Sequence, residues 1–134
     1  MKIRAYAATQ VSSLLGRLVF RINRVLKSSD PEAVHDLRVV IRRFAQGLRV
    51  FGPLLRSAEA KRIRRRLRRI ASAAAEVRNR DVALQLCTEA GVPAEGLIAG
   101  LREEREQARQ RLIKRLGRLR RRDFSRKWRK RLRL

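Results

Sequence analysis

The sequence predicts an all-α protein, an antiparallel four-helix bundle with a short extra C-terminal helix or turn. Apolar residues recur at three- and four-residue steps over four long segments, and the breaks between them carry helix stop and start chemistry. No stretch alternates apolar and polar residues as a half-buried strand would. At 134 residues the chain is long enough for one domain, spanning 1–134, with one modest core.

Val11, Leu15, Leu18, Ile22 and Val25 give the first helix its stripe. Ser28-Ser29-Asp30-Pro31-Glu32 then supplies an N-cap candidate, a proline at the first helical position and an acid in the first turn. The second helix starts there, packs through Val34, Leu37, Ile41, Phe44, Leu48 and Phe51, and stops at Gly52-Pro53. A third segment, from about Ser57 to Glu89, carries Ile63, Leu67, Ile70, Ala74, Val77 and Leu84, and Gly91-Val92-Pro93 ends it. The fourth carries Leu97, Leu101, Ala108, Leu112 and Leu119. A break near Arg122-Asp123 precedes a terminal turn or helix with Phe124, Trp128 and Leu132.

The net charge of +24, from 36 basic against 12 acidic side chains, exceeds what solubility requires and sets up strong self-repulsion. A polyanionic partner is the direct implication. All basic residues but Lys2, Lys27, Lys61, Lys114, Lys127 and Lys130 are arginines, whose planar fork suits phosphate oxygens. Cys87 is the only cysteine, which excludes an internal disulfide and fits a reducing, cytoplasmic interior. No cysteine-histidine cluster has metal-ligand spacing, so no metal and no cofactor is expected. The apolar stretch near the N-terminus is broken by Arg17 and reads as helix, not as a signal segment. No run approaches the roughly 18 apolar residues of a membrane span, so no membrane partner is expected.

The charges are ordered on the helices. At about 100° per residue, Arg38, Arg49, Arg42 and His35 share an arc about 60° wide beside the apolar stripe of the second helix. This basic rail runs about 21 Å at about 1.5 Å rise per residue, and its place beside the core puts it in a groove between helices. Arg43 falls opposite. On the third helix Lys61, Arg64, Arg68 and Arg78 form a similar arc, with the small Ala71 and Ala75 leaving room for a ligand. Arg102, Arg105 and Arg109 repeat the arrangement on the fourth. Like charges at i,i+4 each cost a few tenths of a kcal/mol in an isolated helix, so the order is mildly unfavourable without an anion.

Asp81 falls within the apolar arc of the third helix, where an ionised carboxylate needs a partner. Arg78, three residues earlier, is within reach. Two readings are open: a buried ion pair that fixes the helix, or an acid that aims an arginine at the ligand. The basic run from Arg118 to Arg133 reads as nonspecific electrostatics, and Trp128 as a core or oligomer contact in preference to base stacking.

Ala33-Val34-His35-Asp36-Leu37-Arg38-Val39-Val40-Ile41-Arg42-Arg43-Phe44 closely resembles the signature of the CHAD domain, the conserved-histidine alpha-helical domain. Phe51 with Pro53-Leu54-Leu55 continues it, Val77-Arg78-Asn79-Arg80-Asp81-Val82 resembles its second motif, and Arg122-Asp123-Phe124 a short motif after its fourth helix. The resemblance implies an antiparallel helical fold that binds inorganic polyphosphate, often at polyphosphate granules, without catalysis. By motif it points to His35, Arg38, Arg42 and Arg43 as phosphate contacts, and to Arg78 with Asp81. Arg49, Lys61, Arg64, Arg68, Arg102, Arg105 and Arg109 rest on helix periodicity instead. Ala45, Ala75 and Asn79 depart from a common basic residue, glycine and aspartate of the family. Members usually comprise two related four-helix bundles, of which this chain resembles the first, so a homodimer with rails facing a shared channel is expected.

The alternative is a nonspecific nucleic-acid-binding basic protein, since charge alone gives salt-dependent binding to a duplex. Helix-turn-helix spacing is absent and the rails flank the core, while few aromatics are present to stack bases. A phosphate hydrolase would need carboxylates converging on a metal and water, or a glycine-rich phosphate loop. Glu103, Glu104 and Glu106 are instead spread around the fourth helix, and the loop pattern is missing.

Overall fold

The computed structural model describes residues 2–91 and 95–134, and every element in them is helical. Helix α1 runs Lys2–Lys27, α2 Pro31–Phe51, α3 Ser57–Ala90, α4 Glu95–Arg121 and α5 Phe124–Leu132, with a single 3₁₀ turn at Gly52–Leu54 between α2 and α3. The breaks follow local chemistry. Asp30 caps α2 by accepting from the Glu32 backbone N–H at 3.0 Å, and Pro31 needs no partner at the first position. Gly91 ends α3 with φ 61°, a left-handed conformation that glycine adopts without strain. Val92 and Pro93 of the expected stop lie outside the described residues. At the α4–α5 break Asp123 itself takes a left-handed conformation, φ 51°.

Helices packed against sequence neighbours make the core: α1 on α2, α2 on α3 and α3 on α4, with lighter contact between α4 and α1. The stripes read from the sequence are buried, including Leu15, Leu18, Ile22, Leu37, Phe44, Ile63, Leu67, Leu112 and, beyond them, Leu116. Phe51 is only half-buried, and its ring meets Tyr6 edge-on at 6.1 Å. Close approach at the α2–α3 turn depends on Gly52, where a Cβ would stand 2.7 Å from that of Ala60.

The fifth helix is part of the core. Trp128 is 1% exposed, stacks on Phe44 of α2 at 6.1 Å and meets Phe124 edge-on at 4.9 Å. Arg129 donates to the hydroxyl of Ser12, and Arg56 donates to the Arg131 carbonyl at 3.4 Å. The C-terminal basic run is thereby carried on a helix that packs into the core, and Trp128 is the core contact expected of it.

Helix lengths are unequal. The 34 residues of α3 extend about 51 Å, against about 32 Å for the 21 residues of α2. Among the described residues, none of α3 after Asp81 and none of α4 before Ala108 is buried. Leu97 was expected in the core stripe and is 55% exposed, and Leu84 and Leu101 are half-buried. The reason is position: Arg105 already reaches the Ser29 carbonyl in the α1–α2 connection at 2.8 Å, so α4 residues before it overhang the ends of α1 and α2. The overhanging hairpin bears Glu89, Glu95, Glu103 and Glu104 against Arg102 alone, in a chain of net charge +24.

Candidate functional site

Residues one helical turn apart share a face, so Arg38 and Arg42 of α2 stand in line with His35 beside the buried Leu37 and Ile41. Where α2 packs on α3, this line meets Arg68, and the four side chains line one cleft of about 280 Å³. Val39, Ile41 and Leu67 supply its apolar floor, and Ala45 and Ala71 its open sides. His35 is half-buried while Arg38, Arg42 and Arg68 are exposed. Among the described residues no carboxylate forms an ion pair with any of the three arginines. A cleft lined by free guanidiniums, an imidazole and small residues is suited to an extended anion with repeating oxygens.

The other expected residues divide. Arg43 lines a separate cleft on the α1 side of α2, with Arg17, Phe20, Arg21 and Asp36, as its position outside the arc of the rail dictates. Arg49 is exposed, two turns beyond Arg42 on the rail face, and Lys61 is exposed near the start of α3. Arg64 is half-buried, with its Nε buried and without an acceptor. It stands one turn before Arg68 on the same face of α3. Arg78 is half-buried on α3, and Arg102 is exposed on the overhanging hairpin.

Asp81 pairs with Arg105 of α4 and not with Arg78. The Arg105 Nε donates to Asp81 Oδ1, with the two side chains only 14% and 4% exposed. Position explains the correction: Asp81 lies in the apolar arc that α4 covers, whereas Arg78 belongs to the neighbouring arc. Arg105 also donates to the Ser29 carbonyl at 2.8 Å, and Arg109 to the Ser28 carbonyl at 3.5 Å. Both arginines therefore tie α4 to the α1–α2 connection, which sits at the head of the rail.

Asp36 was not singled out from the sequence, although it adjoins His35. Its Oδ2 accepts from Arg24 at 2.7 Å and Arg21 at 3.3 Å, binding the first turns of α2 to α1. The signal was present as arginines with i,i+3 spacing near the end of α1, but their partner lies across a turn that periodicity does not resolve. Glu32, His35 and Asp36 bring ligand atoms within 4.8 Å of one another. Asp36 is already engaged by two guanidiniums, which disfavours a cation there.

Fold and site together define an all-helical polycation whose basic side chains line clefts between helices. The sequence model of the CHAD domain matches residues 9–134, nearly the whole chain, and the protein belongs to the CHAD domain family. No curated protein and no solved structure matches the chain. Among the described residues no helix is long and apolar enough to cross a membrane.

Proposed function

We propose that this protein binds inorganic polyphosphate, without catalysing its conversion, in the cytoplasm and at polyphosphate granules. The observation that carries the reading is the convergence of His35, Arg38, Arg42 and Arg68 on one cleft between α2 and α3. Polyphosphate binding is associated with CHAD domains in general, and the family match covers the His35 motif, which supplies His35, Arg38 and Arg42 to this site. Of the acids nearest the rail, Asp30 caps α2 and Asp36 holds Arg21 and Arg24, while the exposed Glu32 stands beside His35. That leaves few carboxylates to assemble a metal-dependent phosphoryl-transfer site.

The four long helices are read as an antiparallel bundle closed at one end by α5, and two copies as a homodimer whose α2–α3 clefts face each other. Two features support the dimer. Val82 and Leu86 are 37% and 59% exposed, on the same rotational side of α3 as Arg64 and Arg68. The hairpin that carries them is acidic while the body is strongly basic, so it complements the body of a second copy.

Net charge favours a second reading, nonspecific binding to nucleic acid. Competition separates the two at about 0.15 M salt, a physiological ionic strength at which exposed charges are already well screened. Duplex DNA at equal phosphate concentration is expected to leave bound polyphosphate in place. Displacement of polyphosphate by DNA would overturn the polyphosphate reading.

A further inference from the structure

α3 carries a second set of charges on the far side of its apolar stripe. Arg62, Arg66 and Arg69 follow one another at four- and three-residue steps, and Ala73 continues the line. On α4 and the turn that follows it, Arg111, Arg115, Arg118 and Arg122 are spaced four, three and four residues apart, and helical geometry confines the three on α4 to an arc of about 60°. Where α3 packs on α4 these lines face each other across three adjoining clefts. Arg69 and Arg115 line both the first and the second, and Arg66 and Leu119 both the second and the third. The third cleft runs onto α5, where the packing of Trp128 and Phe124 presents Lys127 and Arg131.

We propose that this α3–α4–α5 groove is a second binding site for a linear phosphate polymer, separate from the α2–α3 cleft. From Arg111 it follows α4 to the helix end beside Arg122, about 16 Å, with a cation every three or four residues, or about 5 Å. That regular spacing along a narrow channel matches an anion whose charge repeats along one dimension. Ile70 and Leu119 form an apolar floor, and Ser72 and Ala73 keep the upper walls low. Glu76 borders the upper cleft, and Arg80 pairs with it. Among the described residues, no carboxylate pairs with Arg66, Arg69, Arg111, Arg115, Arg118, Arg122, Lys127 or Arg131. The like charges at i,i+4 are left for an external anion to offset. The choice of polyphosphate as ligand rests on the function proposed above, and the groove itself rests on its own geometry.

Calorimetric titration of the full chain with tripolyphosphate, too short to span both faces of α3, is expected to give two equivalents per chain. Arg66→Gln/Arg115→Gln/Arg118→Gln is expected to reduce this to one and to weaken long-chain polyphosphate roughly tenfold or more, as loss of charge-assisted hydrogen bonds requires. Lys2→Gln/Arg4→Gln/Lys27→Gln removes the same charge from exposed positions on α1 and is expected to leave two equivalents. Circular dichroism and thermal melting confirm folding of each variant.

A wild-type stoichiometry of one, or equal losses in the two triple variants, would overturn the second site. If only duplex DNA responds to the groove substitutions, the ligand assignment is wrong. The α2–α3 cleft is judged separately: Arg38→Gln/Arg42→Gln without effect, alongside a loss in the groove variant, contradicts the first site and upholds the second.

Discussion

Asp81 on α3 and Arg105 on α4 form a buried ion pair at the level where the bundle ends and the α3–α4 overhang begins. The same guanidinium reaches the Ser29 carbonyl ahead of α2, so one side chain connects α3, α4 and the entry to the His35 helix. The Nε and one Nη of Arg105 are thus bonded within the protein.

Removing one partner of a buried pair leaves the other charge uncompensated, at about 3–5 kcal/mol. Arg105→Ala is expected to destabilise the protein by that order in denaturant unfolding. Arg78→Ala is expected to cost less than about 1 kcal/mol, since Arg78 is not the partner of Asp81. Equal losses at the two positions would show that the pair does not anchor this junction.

Trp128 makes the second prediction. Truncating a large buried aromatic costs about 3–5 kcal/mol through lost transfer energy and a residual cavity, so Trp128→Ala is expected to destabilise the whole core and not α5 alone. Unfolding followed by far-ultraviolet circular dichroism checks this. A loss under about 1 kcal/mol would mean that α5 is an appendage, and would weaken the case that Lys127 and Arg131 are held in place.

The overhanging hairpin makes the third. Leu86 and Leu97 are 59% and 55% exposed, so Leu86→Ser/Leu97→Ser is expected to leave thermal stability nearly unchanged while converting a dimer to a monomer in light scattering. A wild-type protein that stays monomeric both free and with polyphosphate would contradict the proposed homodimer.

Much of the helix order was legible because the punctuation is local. Asp30-Pro31, Gly52-Pro53 and Gly91 act on the chain within a few residues of themselves, and α2 begins and α3 ends where they place those boundaries. The His35 rail was legible for a similar reason, since one helix fixes the relative direction of His35, Arg38 and Arg42. Which neighbour meets a helix face was not legible. Asp81 found Arg105 across a helix interface, 24 positions later, in preference to Arg78 on its own helix. Leu97 has good periodicity yet is exposed, because unequal helix lengths leave its part of α4 beyond α1 and α2. The four-three-four spacing of Arg111, Arg115, Arg118 and Arg122 was visible in the sequence, but it becomes a groove only when α3 brings Arg66 and Arg69 opposite.

The central claim is that an ordered cleft, and not total charge, selects polyphosphate. Its most direct test compares long-chain polyphosphate binding by Arg38→Gln/Arg42→Gln/Arg68→Gln with binding by Lys2→Gln/Arg4→Gln/Lys27→Gln, at one salt concentration. With each cleft contact worth about 1–3 kcal/mol, the cleft variant is expected to lose affinity by about a hundredfold or more and the control by less than about tenfold. Equal losses would show that charge count alone governs binding, and would contradict the account.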